Sequence, residues 1–436
     1  MPAMADRTSR AAVGLWSGLA LLAAMLLAAR LVQTWPASSS SASGVDALER
    51  VILLYGTLPR AVVALLAGAT LALSGLLLQR VLRNPLSEPS TLGISAGAQL
   101  AMAAATIHAP VLMDLSEGAV AFAGGIAAAG VVLALTWRRG LEPVSVVLAG
   151  MMVALTATAA SGAIILANGD YLFSLFIWGG GSLVQQDWSP ALAIGMSLLA
   201  GIGMALLMSR ALTLLGLDDA SARGLGAAIN ASRLLIIGVA VWMATTVAAQ
   251  VGLIGFVGLA APTLATLSGA RTLRQKLIAA PLIGAILLWL TDGLVQLAAG
   301  PGGERIPTGA ATALLGGPLL LWLLPRLRMM EWPSLSATKA VARRAARPWH
   351  VLSILAAAAM TAGLCGLLIG RGPEGWTIAT GSLLADLSAL RLPRIGVAAA
   401  AGAMLAAAGA ALQRITGNPL ASPEVLGVGS GAGVGL

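Results

Sequence analysis

Charged residues are scarce in this chain. Of its 436 residues, 10% are Asp, Glu, Lys or Arg and 58% are hydrophobic. Soluble domains usually carry about 25% charged residues and about 45–50% apolar ones. A water-soluble protein of this length could not cover its surface with so few charges, which excludes a cytosolic enzyme, a secreted disulfide scaffold and a disordered tail. The composition predicts a protein whose main solvent is lipid.

Metal-ligating and phosphate-binding side chains are almost absent. Cys365 is the only cysteine, which excludes an internal disulfide and a thiolate cluster. His108 and His350 are the only histidines, which argues against a histidine-built zinc or haem site. The two lysines, Lys276 and Lys339, do not stand in the Gly-Lys-Ser/Thr sequence of a P-loop. We therefore expect no metal site and no cofactor on this chain, with any ATP hydrolysis in another subunit.

Long hydrophobic runs are abundant in this chain. A spanning helix needs about 20 mostly apolar residues. In the first 330 residues this length predicts spans near 12–33, 59–80, 90–108, 118–136, 144–167, 188–208, 232–250, 253–269, 278–299 and 309–325. Further spans are predicted near 350–370, near 393–412 and from about 425 onward. Between the seventh and eighth spans, Gly252, Gly255 and Gly258 favour a tight turn or a broken helix.

The net charge of +9 at first suggests a nucleic-acid partner, but it fits basic loops facing the cytoplasm better. The first apolar stretch follows Arg7 and Arg10 and is too long for a signal peptide, so we predict an uncleaved anchor with a cytoplasmic N-terminus. The basic residues then placed inside are Arg80, Arg83, Arg138, Arg139, Arg210, Arg223, Arg233, Arg271, Arg274, Lys276, Arg326, Arg328, Lys339, Arg343, Arg344 and Arg347. Those left outside are Arg50, Arg60, Arg305, Arg371, Arg391 and Arg394.

An internal repeat defines the organisation. The stretch from Leu58 (LPRAVVALLAGA…) returns from Leu392 (LPRIGVAAAAGA…) at a constant offset, with about half of the positions identical. The matched pairs include Pro59/Pro393, Arg60/Arg394, Gln79/Gln413, Asn84/Asn418, Pro85/Pro419 and Pro89/Pro423. Because ten spans separate the copies, both point the same way across the membrane. We predict an all-α polytopic membrane protein: a ten-helix unit over 1–330, a basic cytoplasmic linker over 331–349, and an incomplete parallel unit of about three helices over 350–436.

Two short segments carry features beyond the spans. The segment LTLLGLDDASARGLG at 212–226 has two aspartates near a helix start and an arginine toward its end, which predicts a pair of short cytoplasmic helices. Asn84-Pro85-Leu86 predicts a turn after the second span. Few acidic residues lie inside the spans, and Asp292 is the main one. That weakens an ion-coupled carrier without excluding it.

These segments together resemble the permeases of ABC importers for iron siderophores, haem and cobalamin. The matching pieces cover the first unit in order and the opening of the second: LPR at 58–60, NPLSEPSTLGISAGA at 84–98, WGGGSL at 178–183, LTLLGLDDASARGLG at 212–226, GLIGFVGLAAP at 252–262, PTGAATALLGGP at 307–318 and LLPRLR at 323–328. The tandem arrangement resembles the double-length permeases for ferric hydroxamate siderophores. Because the second unit stops at Leu436, inside its third predicted span, we expect the chain to be a fragment of a longer protein.

The resemblance also implies partners and site residues. It implies two cytoplasmic ATP-binding subunits that carry Mg-ATP and an extracytoplasmic siderophore-binding protein, in a bacterial inner membrane. The residues implied in contact with the ATPase are Gly216, Asp218, Asp219, Ala220, Arg223, Leu225 and Gly226. Docking of the binding protein is implied for Arg60, Arg391 and Arg394, and a structural turn near the inner gate for Asn84, Pro85, Pro89, Asn418, Pro419 and Pro423. For Arg60 the alternative is an interfacial arginine that reaches lipid headgroups.

Some positions depart from the family pattern. Thr57 stands where an arginine often precedes Leu-Pro-Arg, whereas the second copy keeps Arg391. Gln296 replaces an arginine four residues after Asp292. These departures suggest that the first unit docks less strongly than the second. Cobalamin or haem remains the rival substrate, an ion-coupled secondary transporter the rival of another class, and a non-transporting remnant the third alternative.

Overall fold

The chain divides into two compact units, Met1–Ser334 and Leu335–Leu436. The computed structural model describes residues 2–34, 44–168, 175, 178–216, 224, 228–299, 307–327, 347–372 and 375–416. Over these residues the chain is almost wholly helical, and nine of the helices are long and apolar enough to cross a membrane. The predicted helical membrane fold is therefore confirmed.

The first unit is built from helices alone across its described residues. Its α-helices are α1 (Pro2–Thr34), α2 (Gly44–Val51), α3 (Leu58–Val81), α4 (Ile94–His108), α5 (Pro110–Trp137), α6 (Pro143–Ala167), α7 (Ser189–Leu207), α8 (Ser209–Leu214), α9 (Ile229–Val251), α10 (Val257–Leu267), α11 (Leu273–Ala299) and α12 (Thr308–Leu327). A π-helical turn (Ile52–Thr57) joins α2 to α3, and a 3-10 turn (Pro89–Leu92) precedes α4.

Each of the ten spans predicted for the first unit coincides with a helix, but two of these helices are short. α4 has 15 residues and α10 has 11, fewer than the roughly 20 needed to cross the bilayer. α10 begins after a break from α9, where Gly252 and Phe256 both have positive φ angles of 74° and 76°. The broken helix expected from the glycines of this stretch is present.

Helix α3 occupies the centre of the first unit. Most of its length is buried, and it packs against α7, α9, α10 and α11. Small residues allow this close packing: a Cβ at Gly68 would collide with the backbone of Gly284 in α11, and a Cβ at Gly75 would collide with the backbone of Gly258 in α10. Changes at either end of α3 therefore reach several neighbouring helices.

The helices of the repeat begin earlier than predicted. The spans were expected to start near residues 59 and 393, but in the first copy helical backbone runs unbroken from α2 through α3. The π-helical turn ends at Thr57, two residues before Pro59, whose ring would clash with the carbonyl four residues back in a regular α-helix. In the second copy the helix begins at Gly381, with Pro393 inside it.

The second unit contains one element that the sequence did not predict. Helix α13 (Pro348–Leu368) leads into an antiparallel hairpin of β1 (Ile369–Gly372) and β2 (Gly375–Ile378), and α14 (Gly381–Thr416) follows. Ile369 pairs with Ile378 and Arg371 with Trp376. The third span predicted for this unit and residues 331–346 of the linker lie outside the described residues.

Candidate coupling and docking sites

The predicted coupling segment, 212–226, is described as far as Gly216. Two arginines at the end of α3 hold this part: Arg80 Nε donates to the carbonyl of Leu212 at 3.1 Å, and Arg83 Nε donates to that of Leu215 at 2.9 Å. The other predicted coupling residues lie outside the described residues: Asp218, Asp219, Ala220, Arg223, Leu225 and Gly226.

Gly216 lies directly against the Arg80 guanidinium. A Cβ at this position would collide with the Arg80 guanidinium, so a larger residue would displace that side chain. The sequence placed Arg80 and Arg83 only among the cytoplasmic basic residues and did not predict their contact with the coupling segment. The contact could have been suspected from the position of both arginines at the end of a predicted span, because an arginine there can donate strong hydrogen bonds to the carbonyl oxygens of a neighbouring segment.

The segment after α3 forms a tight turn. Asn84 Oδ1 accepts a hydrogen bond from the Leu86 N–H at 2.9 Å, and the Asn84 carbonyl accepts one from the Ser87 N–H at 3.1 Å. Pro89 then opens the 3-10 turn that leads into α4. The corresponding Asn418, Pro419 and Pro423 of the second copy lie outside the described residues.

Glu88 links this turn to α10, a contact that the sequence did not predict. One carboxylate oxygen accepts from Ser90 Oγ at 2.5 Å, and the other accepts from the Phe256 N–H at 3.1 Å. Phe256 caps the N-terminus of α10, where a negative charge is favourable. Burial raises the pKa of the Glu88 carboxyl, and the two hydrogen bonds oppose that rise.

Arg60 is held by a carboxylate instead of facing solvent freely. Its guanidinium forms a salt bridge with Asp292 at 2.6 Å, with Arg60 12% exposed and Asp292 1% exposed. Asp292 also accepts from Gln296 Nε2 at 2.6 Å and from Thr308 Oγ1 at 3.0 Å. The contact joins α3 to α11 and α12 at the end of α3 opposite to the coupling segment. The sequence named Arg60 and Asp292 separately and missed that they pair.

The two arginines of the second copy differ from each other. Arg391 Nη1 donates to the Leu367 carbonyl at 2.7 Å, which ties α14 to the end of α13. Arg394 is exposed on the described surface of this unit. The docking roles of Arg60, Arg391 and Arg394 stay predictions.

The chain matches a known protein family along most of its length. The FecCD transport family matches residues 16–326 and again residues 351–436. The chain belongs to this family. The same family matches the chain twice, and the two matched stretches contain the two copies of the internal repeat.

Individual relatives support the assignment. The chain is 44% identical over 395 residues, 90% of its length, to the iron(3+)-hydroxamate import system permease protein FhuB of Salmonella typhimurium. It is 42% identical over 431 residues, 96% of its length, to FhuB of Escherichia coli. The chain spans 57% and 64% of the lengths of these relatives. It is also 34% identical over 277 residues to the hemin transport system permease protein HmuU of Yersinia pestis, covering 62% of this chain and 82% of that protein.

A solved structure shares the fold. A metal-chelate type ABC transporter in an inward-facing conformation matches 72% of this chain and 99% of its own, with 26% sequence identity and a TM-score of 0.60. Family and fold thus agree on a multi-pass membrane protein of transporter type.

Proposed function

We propose that this chain is a permease of a binding-protein-dependent ABC importer that takes iron(III)–hydroxamate siderophores into the cytoplasm. The observation that carries the proposal is the identity of 42–44% to two hydroxamate permeases over 90–96% of the chain. On this proposal the chain is a transport path and not an enzyme. The iron stays chelated by its siderophore throughout.

The described contacts connect the coupling segment to helices α3 and α10, so a movement of the segment can be passed on to these helices. Movement of the coupling segment would pull on Arg80, in the last turn of the central helix α3, and on Arg83, in the turn that follows it. The Asn84 turn follows α3 directly, and Glu88 connects it to α10. ATP binding and release in a partner subunit can therefore bias the packing of α3 and α10 between two states, as alternating access requires.

The proposal includes the partners and their sides. Two cytoplasmic ATP-binding subunits with Mg-ATP would contact the coupling segment, and an extracytoplasmic siderophore-binding protein would dock near Arg60, Arg391 and Arg394. The N-terminus would lie in the cytoplasm and the spans in the inner membrane. Lipid surrounds the chain, and no nucleic acid takes part.

Uptake measurements test this proposal. A bacterial strain without its own hydroxamate permease would express the reading frame that encodes this chain, with matching ATP-binding and siderophore-binding proteins. We expect uptake of radioactive iron as ferrichrome, and loss of uptake when the P-loop lysine of the ATP-binding subunit is replaced.

The same assay distinguishes the proposed function from the alternative substrates and from an ion-coupled carrier. Uptake of cobalamin or haem without uptake of ferrichrome would contradict the substrate. Uptake that survives the P-loop replacement but stops with an ionophore would contradict the ABC mechanism and indicate an ion-coupled carrier.

A further inference from the structure

A basic cavity lies at the end of α3 near the coupling segment. It has a volume of about 60 Å³ and is enclosed by the end of α3, the helix α10 and the start of α11. Its polar lining residues are Gln79, Arg80, Thr263, Thr266, Arg271 and Lys276. Three of these six carry a positive charge, and none of the lining residues is acidic.

The three cations have no anionic partner within the described part of the chain. No described carboxylate forms a salt bridge with Arg80, Arg271 or Lys276. Arg80 is close enough to Lys276 for the two charges to repel each other. Arg80 and Lys276 are half-buried, whereas Arg271 is exposed. Like charges at partly buried positions repel each other more strongly than in bulk water, and a bound anion offsets that repulsion.

The neutral polar groups of the lining are already engaged. Gln79 Nε2 donates to the Leu259 carbonyl at 3.1 Å, Thr263 Oγ1 donates to the same carbonyl, and Thr266 Oγ1 donates to the Pro262 carbonyl. The remaining donors are mainly cationic: the side chains of Lys276 and Arg271, and the Arg80 nitrogens other than Nε, which donates to the Leu212 carbonyl. A ligand that suits them is an anion with several acceptor oxygens.

Size and charge narrow the choice of anion. A cavity needs about 10–15 Å³ per water molecule, so this one holds about four to six, comparable to the five heavy atoms of a phosphate group. A carboxylate offers two acceptor oxygens, whereas a phosphate group offers more of them around one centre. Three cationic side chains match the phosphate group better.

We propose that this cavity binds a phosphate group through Lys276, Arg271 and Arg80. Two sources have the required chemistry. One is a soluble phosphate, which reaches the cavity from water. The other is the headgroup of an acidic phospholipid, because the cavity lies at the ends of two membrane-spanning helices, α3 and α11.

Lys276→Gln tests the site against a matched control, Arg274→Gln. Arg274 lies two residues away on α11, is exposed, and does not line the cavity. The full chain would be purified in phosphate-free detergent. Inorganic phosphate binding would be measured by calorimetry, and retained phosphatidylglycerol or cardiolipin by native mass spectrometry. At about 1 kcal/mol per cation, we expect Lys276→Gln to weaken binding about fivefold, while Arg274→Gln leaves it unchanged and Lys276→Arg retains it.

Thermal unfolding gives a second readout that does not depend on transport. The bound probe is expected to raise the unfolding temperature of the wild-type chain and of Arg274→Gln more than that of Lys276→Gln. A response to inorganic phosphate alone assigns the site to soluble phosphate, and a response to the lipid alone assigns it to a headgroup. Equal binding by Lys276→Gln and Arg274→Gln, or binding of neither probe to the wild-type chain, overturns the proposal.

Discussion

The buried carboxylate of Asp292 joins three helices through its hydrogen bonds. It accepts hydrogen bonds from Arg60, Gln296 and Thr308, so its charge is shared among three helices. Gln296 donates a neutral amide hydrogen bond, so Arg60 is the cationic partner of Asp292 among the described residues. The pairing explains why Arg60 is mostly buried although the sequence places it at a membrane surface.

Asp292→Ala is expected to destabilise the first unit by about 3–5 kcal/mol, because it leaves the Arg60 guanidinium without its carboxylate in a mostly buried place. The double variant Arg60→Met with Asp292→Leu should recover much of that loss, since it removes both charges. Thermal unfolding of the purified chain in detergent measures both effects. Additive losses in the double variant would contradict a coupled pair.

Glu88 predicts a pH dependence of stability. Its pKa in the folded chain is raised by burial above the ordinary value of 4.5. At pH values between 4.5 and the raised pKa, the folded state binds more protons than the unfolded state. Stability therefore falls as the pH increases through this range. Glu88→Gln removes this titration, and its unfolding temperature should fall less between pH 4.5 and pH 7. A profile identical to that of the wild-type chain would refute the assignment to Glu88.

At the scale of elements, hydrophobic length and the repeat were enough to predict the helices, because lipid-facing segments are set by composition. Contacts between helices were not predictable. The salt bridge between Arg60 and Asp292 joins residues 232 positions apart, and the contact of Arg80 with Leu212 joins residues 132 apart. The helical backbone before Pro59 was also missed, since proline is usually read as a helix start. The β1–β2 hairpin is too short to give a periodic signal.

Arg83 gives the test of the coupling route, because it contacts the coupling segment but does not line the basic cavity. Arg83→Gln removes a charged hydrogen bond to Leu215, a loss of about 1.5–3 kcal/mol. We expect uptake per ATP hydrolysed to fall about tenfold or more in proteoliposomes while hydrolysis itself continues.

Arg210→Gln is the control for Arg83→Gln. Arg210 lies in α8, two residues before the coupling segment, and is exposed, with no hydrogen bond to α3 among the described residues. Its replacement should leave the ratio of uptake to hydrolysis unchanged. Equal effects of the two substitutions would mean that charge on the segment, and not its attachment to α3, sets the coupling.

At the scale of the whole molecule, the two copies of the repeat present unequal charge at their Leu-Pro-Arg sequences. In the first copy the Arg60 charge is balanced by Asp292, and Thr57 supplies no second arginine. The second copy carries both Arg391 and Arg394. On the proposed function, a binding protein that presents acidic groups to these sequences would be attracted more strongly to the second copy.

Thr57→Arg and Arg394→Gln test this inequality from opposite directions. Arg394 is exposed, and exposed ion pairs contribute up to about 1 kcal/mol, so Arg394→Gln should raise the half-saturating concentration of loaded binding protein about two- to fivefold. Thr57→Arg should lower it, because it adds a positive charge to the first unit, where Asp292 already pairs with Arg60. Both shifts should shrink as the salt concentration rises, since screening weakens exposed charge pairs. The measurement is siderophore uptake into proteoliposomes across a range of binding-protein concentrations. Salt-independent shifts, or a Thr57→Arg chain that docks no better than wild type, would rule out charge as the basis of the inequality.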